Sequence, residues 1–459
     1  LPYGVRAQSD LSTSSFAHLA TSGGWNTSFT LVNTGTADSS VQLEFFGDSG
    51  SPLPLPLSFP QTPGIPVGPA TVLTRTVGAG ASLVMDSAGQ DTSSLLTGWA
   101  RMQSSGKMDG FGIFRYPQFK WEALVPLETR SANTYFVAFD NTRSLGTGVA
   151  VSSVTMPAGD VALTVRDENG IPLTTGTVTL SPQGHASFVV NQKFPVTVGK
   201  RGTIQFDAPP GGRISVVGFR ANGSALTTLP VFTSAVSAGG AVAHITYNGD
   251  FASSYYILNI NSAPAEFTIR YYADDGTGME VPMFLPQSGT FVQKDFLTRT
   301  LDVGAMLEID LVSQPSLAPI SGSAIVQTTS NVLGYEVFRW SSFGQEASVP
   351  IETRTASNYV LAFDNTNGLT TGVAASVISA NPVSIPVTIS DDKGNILQRS
   401  TIALQGHGHV SFLLSSNFPV TANGRGTVEF ANPTGAQVAV IGLRAKADGT
   451  LTTIPTLAK

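Results

Sequence analysis

Residues Ser28–Gly50, SFTLVNTGTADSSVQLEFFGDSG, lie without a gap on Gly148–Gly170, GVAVSSVTMPAGDVALTVRDENG, at an offset of 120. Both stretches alternate apolar and polar positions, carry many β-branched residues, and end in an acidic turn closed by glycine. Alternation with period two marks a half-buried strand, and an Asp/Asn-rich turn ending in Gly accepts the positive φ of a hairpin. The chain therefore writes one β unit more than once.

Working outward, the repetition has two levels. VPLETRSANTYFVAFDNT (Val125–Thr142) recurs as VPIETRTASNYVLAFDNT (Val349–Thr366) at an offset of 224, and TRTV, FPVT and RGT recur at the same distance. Near the start the offset is 226, which pairs SFTLVN from Ser28 with SYYILN from Ser254. Each half divides again, because GIFR, VGFR, EVFR and IGLR close four segments with Arg115, Arg220, Arg339 and Arg444. We expect an N-terminal extended tail over 1–13, modules over 14–129, 130–232, 240–353 and 354–459, and a linker over 233–239.

In the second module the strand candidates are Tyr135–Phe139, Gly148–Ser152, Val161–Arg166, Gly176–Leu180, Ala186–Val190, Thr203–Phe206 and Ile214–Arg220. No segment shows a sustained 3.6-residue apolar period. Some seven short strands in about 105 residues is the content of an immunoglobulin-like sandwich. The expected fold is all-β: four tandem immunoglobulin-like β-sandwiches arranged as two homologous halves. The odd modules carry longer insertions, Leu57–Ala70 and Phe284–Phe296, which read either as binding loops or as Pro-rich covers over a strand edge.

Composition narrows the function classes. Of 459 residues 41% are apolar and only 12% charged, with a formal net charge of −6. That supplies packed cores but a lightly charged surface, weakly protected against self-association. The absence of a basic tract argues against nucleic acid. No apolar run is long enough to span a bilayer as a helix. There is no Cys, so disulfides, thiolate metal sites and Cys nucleophiles are excluded. The first residue is Leu rather than Met, and we expect removal of an export signal.

The candidate site residues fall at the joints. Glu128 and Arg130 straddle the end of the first module and reappear as Glu352 and Arg354 at the third joint; Asp140 and Asp364 follow the next strand in FDNT. One reading is an acid/base site present twice. The other, which we prefer, is a structural joint: a Glu–Arg pair sets the angle and each Asp closes a turn on backbone N–H groups. Arg115 and Arg339, which end strands, belong with these joint residues, with Glu128 a candidate partner of Arg115. The His407–Gly408–His409 run lacks accompanying ligands at metal spacing, and no nucleophile elbow or phosphate loop is present. We therefore expect no cofactor, no metal and no enzyme activity.

The tail LPYGVRAQSD alternates Leu1, Tyr3, Val5 and Ala7 with Pro2, Gly4 and Arg6, giving one apolar face. It is a subunit-interface candidate, docking along its own chain or adding as a strand to a neighbour. Trp25, Trp99, Trp121 and Trp340 all fall in odd modules and are candidate stacking rings for a glycan.

The segments GGW-x-TSFTLVNTG, FFGDSGSPL, VPLETR, AFDNT and FPVT…RGT resemble uncharacterised secreted repeat proteins of environmental bacteria. The resemblance covers almost the whole chain. It implies export and a β-repeat architecture, and it transfers no functional residue. The expected function is an extracellular structural protein that self-assembles as a homo-oligomer or homopolymer, in a filament or surface layer. The alternative is a cell-surface adhesin or carbohydrate-binding protein that uses the odd-module insertions on a glycan or surface ligand.

Overall fold

A computed structural model describes residues 11–63, 67–88, 93–155, 157–233 and 239–459. Leu1, Tyr3, Val5 and Ala7 lie outside the described residues. The described chain is nearly all β: its strands form seven sheets, the first repeat's two being joined into one of ten strands through Trp121–Glu128, and helix is confined to short single turns such as Val190–Lys193.

Period-two patterning builds these strands as the sequence suggests. In Ser39–Gly47 the side chains of Val41, Leu43 and Phe45 are buried while Gln42 and Glu44 point away. In the second repeat one sheet runs in the order Pro172–Leu180, Gly159–Asp167, Arg201–Asp207, Thr134–Asp140, Val231–Thr233. The other runs His185–Val189, Gly146–Ser153, Ile214–Asn222, Ala225–Leu229. Val137, Leu163 and Phe206 of the first sheet share a core with Val149, Val151 and Val216 of the second.

The two odd-repeat insertions have the same form. Leu55–Ser58 pairs with Val67–Ala70, and Val281–Leu285 pairs with Thr290–Lys294, each extending a sheet by two strands. The segment proposed as a linker begins and ends in strand, at Val231–Thr233 and Gly239–Tyr247.

The last strand of each repeat changes sheets at a proline. Trp121–Glu128 pairs with Met108–Tyr116 up to Pro126 and then with Ser12–Thr21. In the second and fourth repeats the break is complete, at Pro230 between Ala225–Leu229 and Val231–Thr233, and at Pro455 between Leu451–Ile454 and Leu457–Ala458. A proline has no N–H to give to a ladder, so it suits the residue at which pairing switches.

These final strands pack around one another in a closed cycle: Trp121–Glu128 against Ala225–Leu229, that strand against Gln345–Pro350, then Leu451–Ile454, and back to Trp121–Glu128. Side chains rather than a ladder tie them. Leu124 N–H donates to Thr228 Oγ1 (2.7 Å), and Thr228 Oγ1 donates to the Leu124 carbonyl (2.6 Å). Thr453 Oγ1 donates to the Ser348 carbonyl (2.5 Å). Between the four strands lies a small cavity of about 120 Å³ whose lining includes Pro126, Pro230, Pro350 and Pro455.

The repeats close head to tail. The acidic turn after each repeat's third long strand docks on the next repeat: the carbonyls of Asp48, Glu168 and Asp274 accept from the N–H groups of His185, Met306 and His409 at 3.0–3.1 Å. The fourth such contact returns to the start, where the Asp392 carbonyl accepts from Ser82 N–H at 3.0 Å. Each turn holds a glycine with φ near +80°, namely Gly50, Gly170, Gly276 and Gly394. A Cβ on any of them would fall 2.0–2.5 Å from a carbonyl oxygen of the neighbouring repeat, so both the backbone angle and the close approach require glycine. Cores are continuous across every junction; Val32, Phe111, Ile113 and Leu124 share one with Leu361 and Val440.

Candidate functional site

The repeated Glu–Arg pairs are tethers. Arg130 Nε donates to Glu128 Oε1 (2.9 Å), Nη2 to Oε2 (2.6 Å), and Nη1 to the Val231 carbonyl (3.2 Å). Arg354 repeats the geometry with Glu352 (2.9 and 2.5 Å) and the Thr456 carbonyl (3.0 Å). Each pair thus links the end of one repeat to the closing segment of the next, at Val231 in a strand and at Thr456 just before one. Asp140 and Asp364 each use one carboxylate oxygen to accept from the N–H of Thr142 or Thr366 at 2.9 Å.

Arg115 does not meet Glu128. Its Nη2 hydrogen-bonds to Ser28 Oγ and lies 3.7 Å from Asp86 Oδ1. Arg339 Nη2 sits 3.0 Å from Glu346 Oε1. Strand pairing decides this: Arg115 stands opposite Asn26 on one side and Glu122 on the other, while Glu128 has crossed to the second sheet.

Between the second and third repeats lies a dense buried polar cluster. Glu308 is fully buried and ion-paired with Arg143 and with Arg201 Nη2 (3.0 Å). Burial, reinforced by Asp310 and Asp140, raises its pKa to about 7 against the pull of the two arginines. The Tyr256 hydroxyl lies 3.1 Å from Glu308 Oε1 and receives a bond from Arg220 Nη1 (2.7 Å), whose Nε pairs with Glu346 (2.9 Å).

Two His–His–Asp chains stand at the other junctions of each half. His18 Nδ1 is 3.1 Å from His185 Nε2, and His185 Nδ1 is 2.8 Å from Asp48 Oδ1. The second chain, His244–His409–Asp274, has the same two distances. Burial, aided by the adjacent His185 or His409, depresses His18 and His244 to about 3. His407 is outside this chain and stacks on Tyr272 at 4.5 Å. Sequence reading missed the pairs, although His18 and His244 share the 226 offset and His185 and His409 the 224 offset.

The tryptophans separate into two kinds. Trp99 is fully buried, and its Nε1 donates to the Gln183 carbonyl (2.7 Å). That corrects its reading as a stacking ring: it is a core residue at the first junction. Trp25, Tyr116, Phe119 and Trp121 instead form a half-exposed cluster with neighbouring ring centroids 5.0–6.4 Å apart. Phe251, Trp340 and Phe343 form its counterpart in the third repeat. Phe119 and Phe343 are 52% and 39% exposed. Both clusters sit at the same end of the cycle. There Lys120 Nζ donates to the Asp448 carbonyl (2.8 Å), Phe343 lies against Gly449, and Ser224 Oγ donates to the Gly344 carbonyl (3.1 Å).

No protein-family model and no curated protein matches the chain. Among solved structures it is similar to a tetra-tandem repeat in the extending region of a large adhesion protein, at 14% identity over 96% of this chain and 98% of that one, with a TM-score of 0.11. It is also similar to a GH2 β-galacturonidase from Eisenbergiella tayi bound to galacturonate, at 11% identity over 70% of this chain and 44% of that one, with a TM-score of 0.14. No helix among the described residues is long and apolar enough to cross a membrane.

Proposed function

We propose that the chain is a non-catalytic, secreted or cell-surface binding protein of the adhesin type, whose contact face is the aromatic end of its four-repeat cycle. The carrying observation is the pair of aromatic clusters, Trp25–Tyr116–Phe119–Trp121 and Phe251–Trp340–Phe343, turned to one end with Phe119 and Phe343 outermost. Exposed rings grouped on a rigid support mark interaction surfaces, and their flat apolar faces suit the C–H faces of sugar rings. The insertions, drawn into sheet hairpins, are less suited to this work than the turns around Pro117–Phe119 and Ser341–Phe343. Glycan-array binding by the full chain should be lost in Phe119→Ala/Phe343→Ala at unchanged melting temperature. A clean negative array with folded protein would sink the proposal.

A second reading, self-assembly into a filament or layer, draws on two outer strands. Pro172–Leu180 and Ile396–Leu404 are nine-residue strands at sheet ends, open to pairing on one side. The head-to-tail turn surfaces are occupied within the chain, so assembly would use these edges. Monomers alone by light scattering across a wide concentration range would exclude it.

A further inference from the structure

The junction between the fourth and first repeats is built like the one between the second and third, with three side chains cut short. Strand register makes the comparison exact at backbone level: Tyr256 stands opposite Tyr335 and Glu308, and Thr30 stands opposite Phe111 and Val84. In the complete junction the Tyr256 ring stacks on Tyr335 (5.2 Å, 16°), with the Arg220 guanidinium on it at 5.5 Å. The Glu308 carboxylate beside its hydroxyl is held by Arg143 and Arg201. In the other junction Phe111, Arg444 and Arg425 remain, while Thr30 replaces the phenol, Val84 the carboxylate and Asn367 its second partner Arg143. All six line a cavity of about 170 Å³.

The lost carboxylate and the lost Arg143 guanidinium cancel in charge, and one added cation, Lys446, leaves the cavity with an excess of positive charge. Arg425 retains Asp364 (2.8 Å) and Arg444 retains Glu122 (2.6 Å). Lys446, which stands where the second repeat has Asn222, lines the cavity without an ion pair among the described residues. The Nε of Arg115, another wall residue, is buried without a hydrogen-bond partner. Ile113, Phe363, Leu369 and Ile454 add apolar surface to the wall, which also carries Ser28, Ser82 and Asp86. A dry cavity of about 150 Å³ accommodates benzene, so one substituted ring fits this volume.

We propose that this cavity binds a small aromatic carboxylate, its ring between Phe111 and Arg444 and its carboxylate toward Arg425, in the places that Tyr256 and Glu308 fill in the sister junction. The site is independent of the aromatic end face. A ring stacked between an aromatic and a guanidinium, with a charge-assisted contact at its carboxylate, combines two interactions that strengthen when water is excluded.

The test is calorimetric titration of the full chain with benzoate and 4-hydroxybenzoate, with sulfate and phenol as single-feature controls. The expected result is saturable binding with Kd of about 1 mM or tighter, at least tenfold stronger than either control. Val84→Glu, which restores the internal carboxylate, and separately Thr30→Tyr, which restores the ring, should each weaken benzoate at least tenfold. Melting curves of both variants establish that they fold; Thr30→Tyr places only a ring and serves if the buried charge of Val84→Glu unfolds the chain. No saturable binding to the native chain, equal binding of sulfate, or benzoate affinity unmoved in a folded variant would overturn the proposal.

Discussion

His18 Nδ1 faces His185 Nε2 at 3.1 Å across the first junction, and His244 faces His409 at the same distance across the third. Two neutral imidazoles can share one hydrogen bond; two imidazolium rings cannot. Burial depresses His18 and His244 to about 3, below the 6.5 of an exposed histidine. The unfolded chain therefore takes up these protons first. The contribution to stability is full above pH 6.5 and is lost as pH falls toward 3, by up to about 1.4 kcal/mol per pH unit for each residue. Urea midpoints should drop between pH 7 and pH 4, and less so in His18→Gln/His244→Gln. An equal drop in the double variant would remove the histidines as the cause.

Glu336 titrates with the opposite sign. It is fully buried, accepts from Ser253 Oγ, and burial raises its pKa to about 8. A raised carboxyl favours the folded state below the unfolded pKa, near 4.5, and that advantage is lost as pH rises through 8. Glu336→Gln stays neutral throughout. The melting temperature of the variant should therefore gain on the native protein from pH 5 to about pH 8 and level off above it, and parallel curves would refute the assignment.

Ring closure rests partly on Arg444 and Glu122, both buried, whose Nη1 and Oε2 atoms are 2.6 Å apart although 322 residues separate them. Removing one partner strands a buried charge, so Arg444→Met should cost about 3–5 kcal/mol in denaturant unfolding. Arg444→Met/Glu122→Leu should recover most of that loss, because the apolar pair leaves nothing unpaired. Additive losses would show that the two residues act separately.

The strands were legible because they need only local information. Val161, Leu163 and Val165 alternate with the more exposed Asp160, Ala162, Thr164 and Arg166, and they face one core in Gly159–Asp167. The cycle was not legible in the same way. Nothing in DSG, DENG, DDG or DDKGN states which repeat each turn will meet, and the closing contact from Asp392 to Ser82 spans most of the chain. The Glu–Arg pairing at the joints is local and readable, whereas Arg115 was misread because the strand carrying Glu128 changes sheets at Pro126. Each repeat also ends in an aliphatic–proline pair, at Val125, Leu229, Val349 and Ile454, and these prolines meet at the common axis; the same kind of pair inside the repeats, as at Ile171–Pro172 and Val281–Pro282, hides that signal in the sequence.

The Thr228 hydroxyl both donates to and accepts from the Leu124 backbone. Because the axial strands have no ladder between them, this one side chain replaces a pair of main-chain bonds. Thr228→Val keeps the shape but leaves the Leu124 N–H and carbonyl unpartnered there, so it should cost about 1–3 kcal/mol. Thr228→Ser should cost less, since it retains the hydroxyl.

Trp99 and Phe119 give the sharpest contrast between core and surface aromatics in one repeat. Trp99 is fully buried and bonds across the first junction to Gln183, so Trp99→Ala should cost about 3–5 kcal/mol by chemical denaturation. Phe119 is 52% exposed, and truncating a surface side chain typically changes stability by less than about 0.5 kcal/mol. If Phe119→Ala proves as destabilising as Trp99→Ala, then the aromatic end is packing rather than a contact face. In that event the sugar-binding proposal loses its support, whatever a glycan array shows for the native chain.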